Sequence, residues 1–274
     1  MPNSPFLKGF VYIFLAMTIL IDSHAHLTAP ELLPDVEAIL ERAKQKNIRI
    51  IVNICTDVIS LETGLLLHER HPWVYTTAAV TPHDAGTSSE KFFSFVEKMA
   101  REGKLIAIGE TGLDYYYRPE AIEVQKQSLL QHLHLARECQ LPVIFHCRDA
   151  FADLFACADE HYADLPAVLH CFTGTLSEAK GVISRGWYLS FSGIITFKNA
   201  NVLREVVREM PLQQILIETD APYLAPQTKR GKRNESSYIW ETAECIARIK
   251  GISVEKVMAE TSKNAEDFFR FSTQ

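Results

Sequence analysis

The sequence is poor in the features that mark specialised protein classes. Its six cysteines lie far apart in 274 residues, and no two of them form a C-x-x-C pair. A disulfide framework is therefore not indicated, and reduced thiols in a cytoplasmic protein fit this spacing best. No internal repeat, low-complexity segment or Pro/Gly/Ser-rich linker interrupts the chain. Apolar residues make up 47% and charged residues 23%, which indicates an ordinary globular protein with a substantial core.

An excess of basic residues is also missing. The formal net charge is -6 at pH 7, whereas a long footprint on duplex nucleic acid relies on many Lys and Arg contacts to phosphates. The composition argues against extended duplex binding. A short or terminal nucleic-acid substrate remains compatible with it.

No apolar run is long and uninterrupted enough to predict a membrane span. The early stretch FLKGFVYIFLAM could pass for a short signal peptide, but a cleavage site of small residues would fall around Ser23 or Ala25 and damage the histidine pair described below. Met17 offers a simpler start of the folded chain. We therefore expect residues 1–16 to be an N-terminal extension or upstream start, residues 17–274 to form one domain, and stable membrane association to be absent.

Eight apolar, β-rich runs alternate with segments of helical spacing. Between the first two runs, Leu33, Val36, Ile39, Leu40 and Ala43 form one apolar helical face. Eight such units in a chain of this length favour a single (β/α)₈ barrel (TIM barrel) over a doubly wound open sheet, with additional C-terminal helices from about Glu235 packing outside it. The predicted strands span residues 19–22, 48–54, 73–80, 104–110, 141–146, 166–170, 187–193 and 214–219.

The heptapeptide IDSHAHL places His24 and His26 directly after the first strand run. Residues two apart on an extended segment point to the same face, so both imidazoles can reach one point beyond the strand end. This geometry suits a metal ion. A histidine pair can equally be structural and satisfied by ordinary hydrogen bonds, so further ligands decide the question.

Further ligands do occur where barrel enzymes place catalytic groups, at the carboxyl ends of the strands. Each of these side chains alone could cap a helix, bond a turn or lie in the core, but six of them on one rim favour a shared metal centre. Six ligands are too many for one open four-coordinate ion, so we predict two divalent ions, zinc, manganese or magnesium, and hydrolytic chemistry. The predicted ligands are His24, His26, Glu110, His146, His170 and Asp220, with Glu110 bridging the ions and Asp220 beside the attacking water.

Six motifs in this order resemble the successive signatures of the TatD-type metal-dependent deoxyribonuclease family. They are IDSHAHL, AIGETGLDYYY, PVIFHCRDA, VLHCFTGT, LIETDAPYLAP and KRGKRNESSY, and the match runs from Met17 to the C-terminus. The resemblance implies a TIM barrel of the amidohydrolase-like superfamily, the same six metal ligands, and a metal-dependent DNase that often acts as a 3′ to 5′ exonuclease. Two departures stand out: Thr81 replaces the first histidine of the usual G-x-H-P-H-D, with His83 retained, and Ser236 replaces a frequent proline.

Basic and aromatic residues near the same rim are candidates for substrate contact. The segment TKRGKRNE is either a solvated loop or a phosphate-binding loop, and Arg binds phosphate in bidentate fashion. Tyr115, Tyr116 and Tyr117 either pack in the core or stack nucleobases. Cys147 and Cys171 each follow a ligand histidine and are expected to point away from the metals. The predicted phosphate contacts are His83, Arg148, Arg230 and Arg233.

The sequence thus predicts a divalent-metal phosphodiesterase in which a metal-bound hydroxide attacks phosphorus and Asp220 and Glu110 act in catalysis. Its expected partner is DNA, as a single strand or a 3′ end. One alternative is a carbonyl hydrolase such as an aminoacyl-ester deacylase, and a second is a noncatalytic barrel that keeps metals for stability. The choice between DNA and RNA, the physiological metal and the oligomeric state are not determined by the sequence.

Overall fold

The computed structural model describes residues 19–86, 89–118 and 121–271. In this part of the chain eight parallel strands form one sheet in the order β1 to β8. The predicted N-terminal extension, residues 1–16, lies outside the described residues. The strands are β1 (Leu20–Ala25), β2 (Ile48–Cys55), β3 (Val74–Ala78), β4 (Ile108–Asp114), β5 (Val143–Arg148), β6 (Ala167–Leu169), β7 (Tyr188–Phe191) and β8 (Ile215–Ile217).

The barrel closes where the end of β1 meets the chain that follows β8. The Asp220 amide donates to the His24 carbonyl at 2.9 Å, and the His26 amide donates to the Ala221 carbonyl at 2.7 Å. These bonds satisfy backbone groups that an open sheet edge would leave unpaired. Closure also places two candidate ligands from the start of the chain beside one that lies almost two hundred residues later.

Helices follow the strands and bury one face against the sheet, as the spacing of apolar residues predicts. The first helix, for example, buries Val36, Ile39, Leu40 and Ala43. The helices are α1 (Val36–Gln45), α2 (Val58–Arg70), α3 (Ser89–Arg101), α4 (Ile122–Cys139), α5 (Phe151–His161), α6 (Leu176–Ser184), α7 (Asn201–Glu209), α8 (Ile239–Lys250) and α9 (Val254–Phe269). No helix among the described residues is long and apolar enough to cross a membrane.

The C-terminal helix α9 covers the amino end of the barrel. Ser262 Oγ donates to the Ile19 carbonyl just before β1, and Asn264 Nδ2 donates to the carbonyls of Leu212 and Ile215 at the start of β8. Phe268 packs in an apolar cluster with residues of β1, β2, β5, β6 and β8. The predicted (β/α)₈ barrel with additional C-terminal helices is confirmed.

One strand differs from its predicted position in a way that matters for the site. The sequence predicts the fourth strand over residues 104–110, whereas β4 spans Ile108–Asp114. The GETGLD segment has weak β-propensity, yet it pairs along β5, with Gly112 opposite His146 and Asp114 opposite Arg148. Glu110 therefore lies within the strand, and Asp114 occupies its carboxyl end.

Candidate metal centre

The six predicted ligands converge at the carboxyl end of the barrel. The side chains of His26, Glu110, His146, His170 and Asp220 line one cavity of about 500 Å³, and the fully buried His24 lies against them. Strands β1, β4, β5, β6 and β8 each bring at least one of these groups to the rim. This convergence is the one that parallel strand ends predict.

His24, His26 and Asp220 form the first triad. The Nε2 atoms of the two histidines are 3.3 Å apart. Asp220 Oδ1 lies 3.6 Å from His24 Nε2 and 3.4 Å from His26 Nε2. Asp220 has a left-handed backbone, with φ of 56°, and Asp is among the few non-glycine residues that adopt this conformation readily.

Glu110, His146 and His170 form the second triad. Glu110 Oε1 lies 2.9 Å from His146 Nδ1 and 3.1 Å from His170 Nε2, and the two nitrogens are 3.2 Å apart. The other carboxylate oxygen, Oε2, faces the first triad at 3.4 Å from His24 Nε2 and 3.7 Å from His26 Nε2. Glu110 thus presents one oxygen to each triad, which is the arrangement a bridging carboxylate requires.

The donor atoms fit divalent cations. A tetrahedral ion with bonds of about 2.1 Å separates its ligand atoms by about 3.4 Å, close to the distances within both triads. Imidazole nitrogens and carboxylate oxygens are ligands of zinc, manganese and related ions. The residues therefore fit two ions, and the individual ligand roles stay a prediction that this geometry supports.

Burial and neighbouring groups shift the pKa values of the candidate ligands. Burial raises the pKa of Glu110, but the neighbouring His170 and the hydrogen bonds from His146 and His170 outweigh it, so the net pKa is well below the usual value. Burial lowers the pKa of His24, and nearby His170 lowers it further. The Glu110 carboxylate is therefore ionised, which is the form that binds a metal ion.

Asp114 is a site residue that the sequence reasoning missed. Its Oδ2 contacts His146 Nε2 at 2.9 Å and His83 Nε2 at 3.0 Å, while its Oδ1 accepts from the amides of Tyr116 and Tyr117. Burial opposes ionisation of Asp114, but the hydrogen bonds from His146 and Tyr117 hold its pKa below the usual range. The Asp114 carboxylate forms a hydrogen bond with His146 Nε2. The other ring nitrogen, Nδ1, is therefore the one that faces the second triad.

Two further buried carboxylates lie beneath the cavity. Glu218 Oε1 accepts from the Cys171 amide at 2.6 Å. Asp22 accepts from the amide and the hydroxyl of Thr219 at 2.9 and 2.6 Å, and burial raises its pKa to about 7. The spacing in the sequence could have identified all three missed carboxylates. Asp114 is four positions after Glu110, Glu218 is two before Asp220 and Asp22 is two before His24. Residues an even number of positions apart share a face of an extended strand.

Of the predicted phosphate contacts, His83 and Arg148 line the cavity. The Arg148 guanidinium carbon lies 4.0 Å from the ring centre of Tyr116 and 4.7 Å from that of Tyr117. Both rings are more than half exposed, whereas Tyr115 packs against the core and donates its hydroxyl to Asp153 at 2.7 Å. Two of the three tyrosines therefore belong to the rim and one to the packing.

Arg230 and Arg233 do not reach the cavity wall. The Arg230 guanidinium stacks on the Phe197 ring at 4.2 Å, and Arg233 donates to Asp35 at 2.7 Å and to the Glu31 carbonyl. After Asp220 the loop contributes Tyr223 and Leu224 to the wall and then turns away. Closeness in sequence to Asp220 therefore did not translate into closeness to the ligands.

Cys147 and Cys171 also line the cavity. Among the described residues, neither thiol belongs to a group of candidate ligand atoms that lie within 4.8 Å of one another, so their expected orientation away from the metals stays a prediction. Cys171 has φ of 42°, so strand alternation does not hold there. Thr81, at the departure from the family motif, also lines the cavity and donates to Asp84 Oδ2 at 2.9 Å.

Comparisons with known proteins point to one family. The family model described as TatD related DNase matches residues 21–270. The chain is 37% identical over 254 residues to the uncharacterized metal-dependent hydrolase YabD of Bacillus subtilis, covering 92% of this chain and all of that protein. It is 32% identical over 254 residues to the 3′-5′ ssDNA/RNA exonuclease TatD of Citrobacter rodentium, covering 90% and 97% of the two chains.

A solved structure shows the same similarity. The crystal structure of YJJV, a TatD homolog from Escherichia coli, superposes with a TM-score of 0.87 at 26% sequence identity, covering 92% of this chain and 98% of that one.

Proposed function

Since the chain belongs to the TatD-related DNase family of metal-dependent hydrolases, we propose that it removes nucleotides from the 3′ end of single-stranded DNA. The observation that supports this most directly is the pairing of two ligand triads with Arg148 in one cavity. Among the described residues, no carboxylate forms an ion pair with Arg148. Its charge is therefore available to a substrate phosphate.

The size of the cavity also favours the end of a nucleic-acid strand over a long stretch of it. Its volume of about 500 Å³ lies in the range of pockets that take one small ligand, and the chain carries a net charge of -6. Both features favour a terminal nucleotide over an extended duplex. Exposed Tyr117 and Tyr223 on the rim offer aromatic faces on which a base can stack.

The residues divide the chemical work as follows. The residues that would hold two divalent ions are His24, His26, Glu110, His146, His170 and Asp220; such ions would supply positive charge near the phosphate and would increase the acidity of water. Arg148 binds a non-bridging phosphate oxygen, because its planar guanidinium is held over Tyr116 and Tyr117. Asp220 accepts the proton of the attacking water. His83, which Asp114 orients, adds a second phosphate contact.

The test is hydrolysis by metal-stripped protein with magnesium, manganese or zinc restored separately. Single-stranded DNA labelled at either end, RNA of the same sequence and an aminoacyl ester are offered in parallel. We expect stepwise shortening from the 3′ end of DNA that is lost in His146→Ala. Asp220→Asn should lower the rate by at least about 100-fold, because a general base contributes on that order. Ester cleavage with intact DNA would instead identify a carbonyl hydrolase.

A further inference from the structure

Glu218 lies directly beneath the two triads and has no role in the mechanism above. Its side chain is fully buried. Oε1 accepts from the Cys171 amide at 2.6 Å and lies 3.5 Å from His170 Nδ1. A buried carboxylate is costly unless hydrogen-bond donors surround it.

Two of the candidate ligands, His24 and His170, lie close to Glu218. The buried side-chain atoms that have no hydrogen-bond partner in the described chain include His24 Nδ1, His170 Nδ1 and Glu218 Oε2. One nitrogen of His24, one of His170 and one oxygen of Glu218 lie within 4.8 Å of one another. The two rings are stacked almost in parallel, with centres 4.0 Å apart and planes at 9°.

The opposite edges of the same rings face the triads. His24 Nε2 lies 3.4 Å from Glu110 Oε2, and His170 Nε2 lies 3.1 Å from Glu110 Oε1. His24 belongs to the first triad and His170 to the second. Glu218 therefore lies behind one imidazole of each triad.

We propose that Glu218 is a shared positioning residue that holds both imidazoles with the proton on Nδ1. An ionised carboxylate only accepts hydrogen bonds, so it favours the tautomer whose Nδ1 donates and whose Nε2 lone pair faces an ion. Such a partner also makes the ligand nitrogen more basic. This inference rests on the two-ion arrangement proposed above and is independent of the substrate.

If Glu218 supports one imidazole of each triad, its removal should lower the affinity for both ions. Removing a ligand should weaken mainly the ion that it binds, whereas removing Glu218 should weaken both binding steps. Loss of a carboxylate behind a ligand histidine typically lowers metal affinity by about 10- to 100-fold. Glu218→Asp keeps the charge and should recover part of the affinity.

The experiment titrates metal-stripped protein with zinc against a chromophoric chelator, which counts the ions and gives both affinities. Wild type, Glu218→Gln, Glu218→Asp and Glu235→Gln are compared. Glu235 is also a buried glutamate, but it pairs with Arg42 on α1 at 2.6 Å, so its variant controls for loss of stability alone. Binding of a single ion by wild type would refute the two-ion arrangement itself.

The protonation of the rings is measured on the zinc-loaded proteins by NMR with ¹⁵N-histidine. We expect His24 and His170 to carry the proton on Nδ1 in wild type and Glu235→Gln, and both affinities to fall together in Glu218→Gln. Wild-type affinities in Glu218→Gln, or a fall in one step only, would overturn the proposal. In that case Glu218 would serve the Cys171 amide alone.

Discussion

Arg148 and Arg233 carry the same charge but differ in what surrounds them. Arg148 lies in the cavity over two tyrosine rings, whereas Asp35 neutralises Arg233. We expect Arg148→Ala to raise KM for single-stranded DNA by about 10-fold or more, because a charge-assisted bond to phosphate is lost. Arg233→Ala should leave KM within about twofold, as exposed ion pairs contribute little.

The measurement is kcat and KM for both variants at two salt concentrations. Arg148→Lys serves as the control for charge, because Lys cannot reproduce the planar fork of donors, and it should restore KM only in part. Equal effects of Arg148→Ala and Arg233→Ala would contradict the assignment of Arg148 as the main phosphate contact. They would indicate that the loop around Arg233 also contacts the substrate.

A buried histidine outside the site should make the protein sensitive to acid. His132 Nε2 accepts from the Val80 amide at 3.1 Å, and its Nδ1 donates to the Ser128 carbonyl at 2.7 Å. Burial lowers the pKa of His132 from 6.5 to about 4. Protonation would remove the acceptor that holds the chain just before Thr81 and His83.

Because the folded-state pKa is below the unfolded value, the neutral ring stabilises the fold above pH 6.5, and this contribution is lost as the pH falls towards about 4. The loss should reach roughly 3 kcal/mol. Urea unfolding from pH 7.5 to 4.5 should show a smaller acid-induced loss in His132→Gln than in wild type. His134→Gln, an exposed position on the same helix, should follow wild type, and identical pH profiles for all three would refute the prediction.

At the scale of elements, the close approach of β4 and β5 places His146. A Cβ at Gly112 would lie 1.9 Å from the His146 carbonyl oxygen, and the backbone there has φ of 148°. Gly112→Ala must therefore push the two strands apart. We expect it to reduce the free energy of unfolding by more than about 2 kcal/mol and to weaken metal binding through displacement of His146.

Gly186 provides the matched control. It also has positive φ, at 71°, but nothing lies within 4 Å of an added Cβ. Gly186→Ala should cost only the backbone strain, about 1 kcal/mol, and leave metal affinity unchanged. Calorimetric metal titration and thermal unfolding of both variants measure the difference. A Gly112→Ala protein with normal metal affinity would show that strand spacing does not place the ligand.

The same element shows why one site residue was missed in the sequence. The run LIAI before Gly109 is more apolar than GETGLD, so propensity places the strand too early. Pairing with β5 moves β4 to Ile108–Asp114, because tertiary packing overrides weak propensity. Asp114 then ends the strand and contacts His146 and His83.

At the scale of the whole molecule, the two ends of the barrel have separate tasks. The carboxyl end holds the candidate ligands, and α9 covers the amino end, with Phe268 only 1% exposed. Phe268→Ala should reduce the free energy of unfolding by about 3–5 kcal/mol, because it leaves a cavity in the core. The kcat of the folded fraction should stay near the wild-type value.

Chemical unfolding and kcat below the melting temperature check this separation. Val202→Ala on α7, where the side chain is 54% exposed, is the control and should change stability by no more than about 0.5 kcal/mol. A large fall in kcat for folded Phe268→Ala would show that the amino end is coupled to the site.

The sequence by itself determined the barrel and the placement of the candidate ligands on one rim. Periods of two and 3.6 residues identify strands and helices, and the ends of parallel strands share one rim, so His24, Glu110, His146 and Asp220 could be placed together without coordinates. The tertiary structure alone decided which supporting groups reach that rim. Asp114 and Glu218 contact ligand histidines, and Arg148 enters the cavity while Arg233 does not. These distances depend on strand register and on the path of each loop in space, which local residue patterns do not specify.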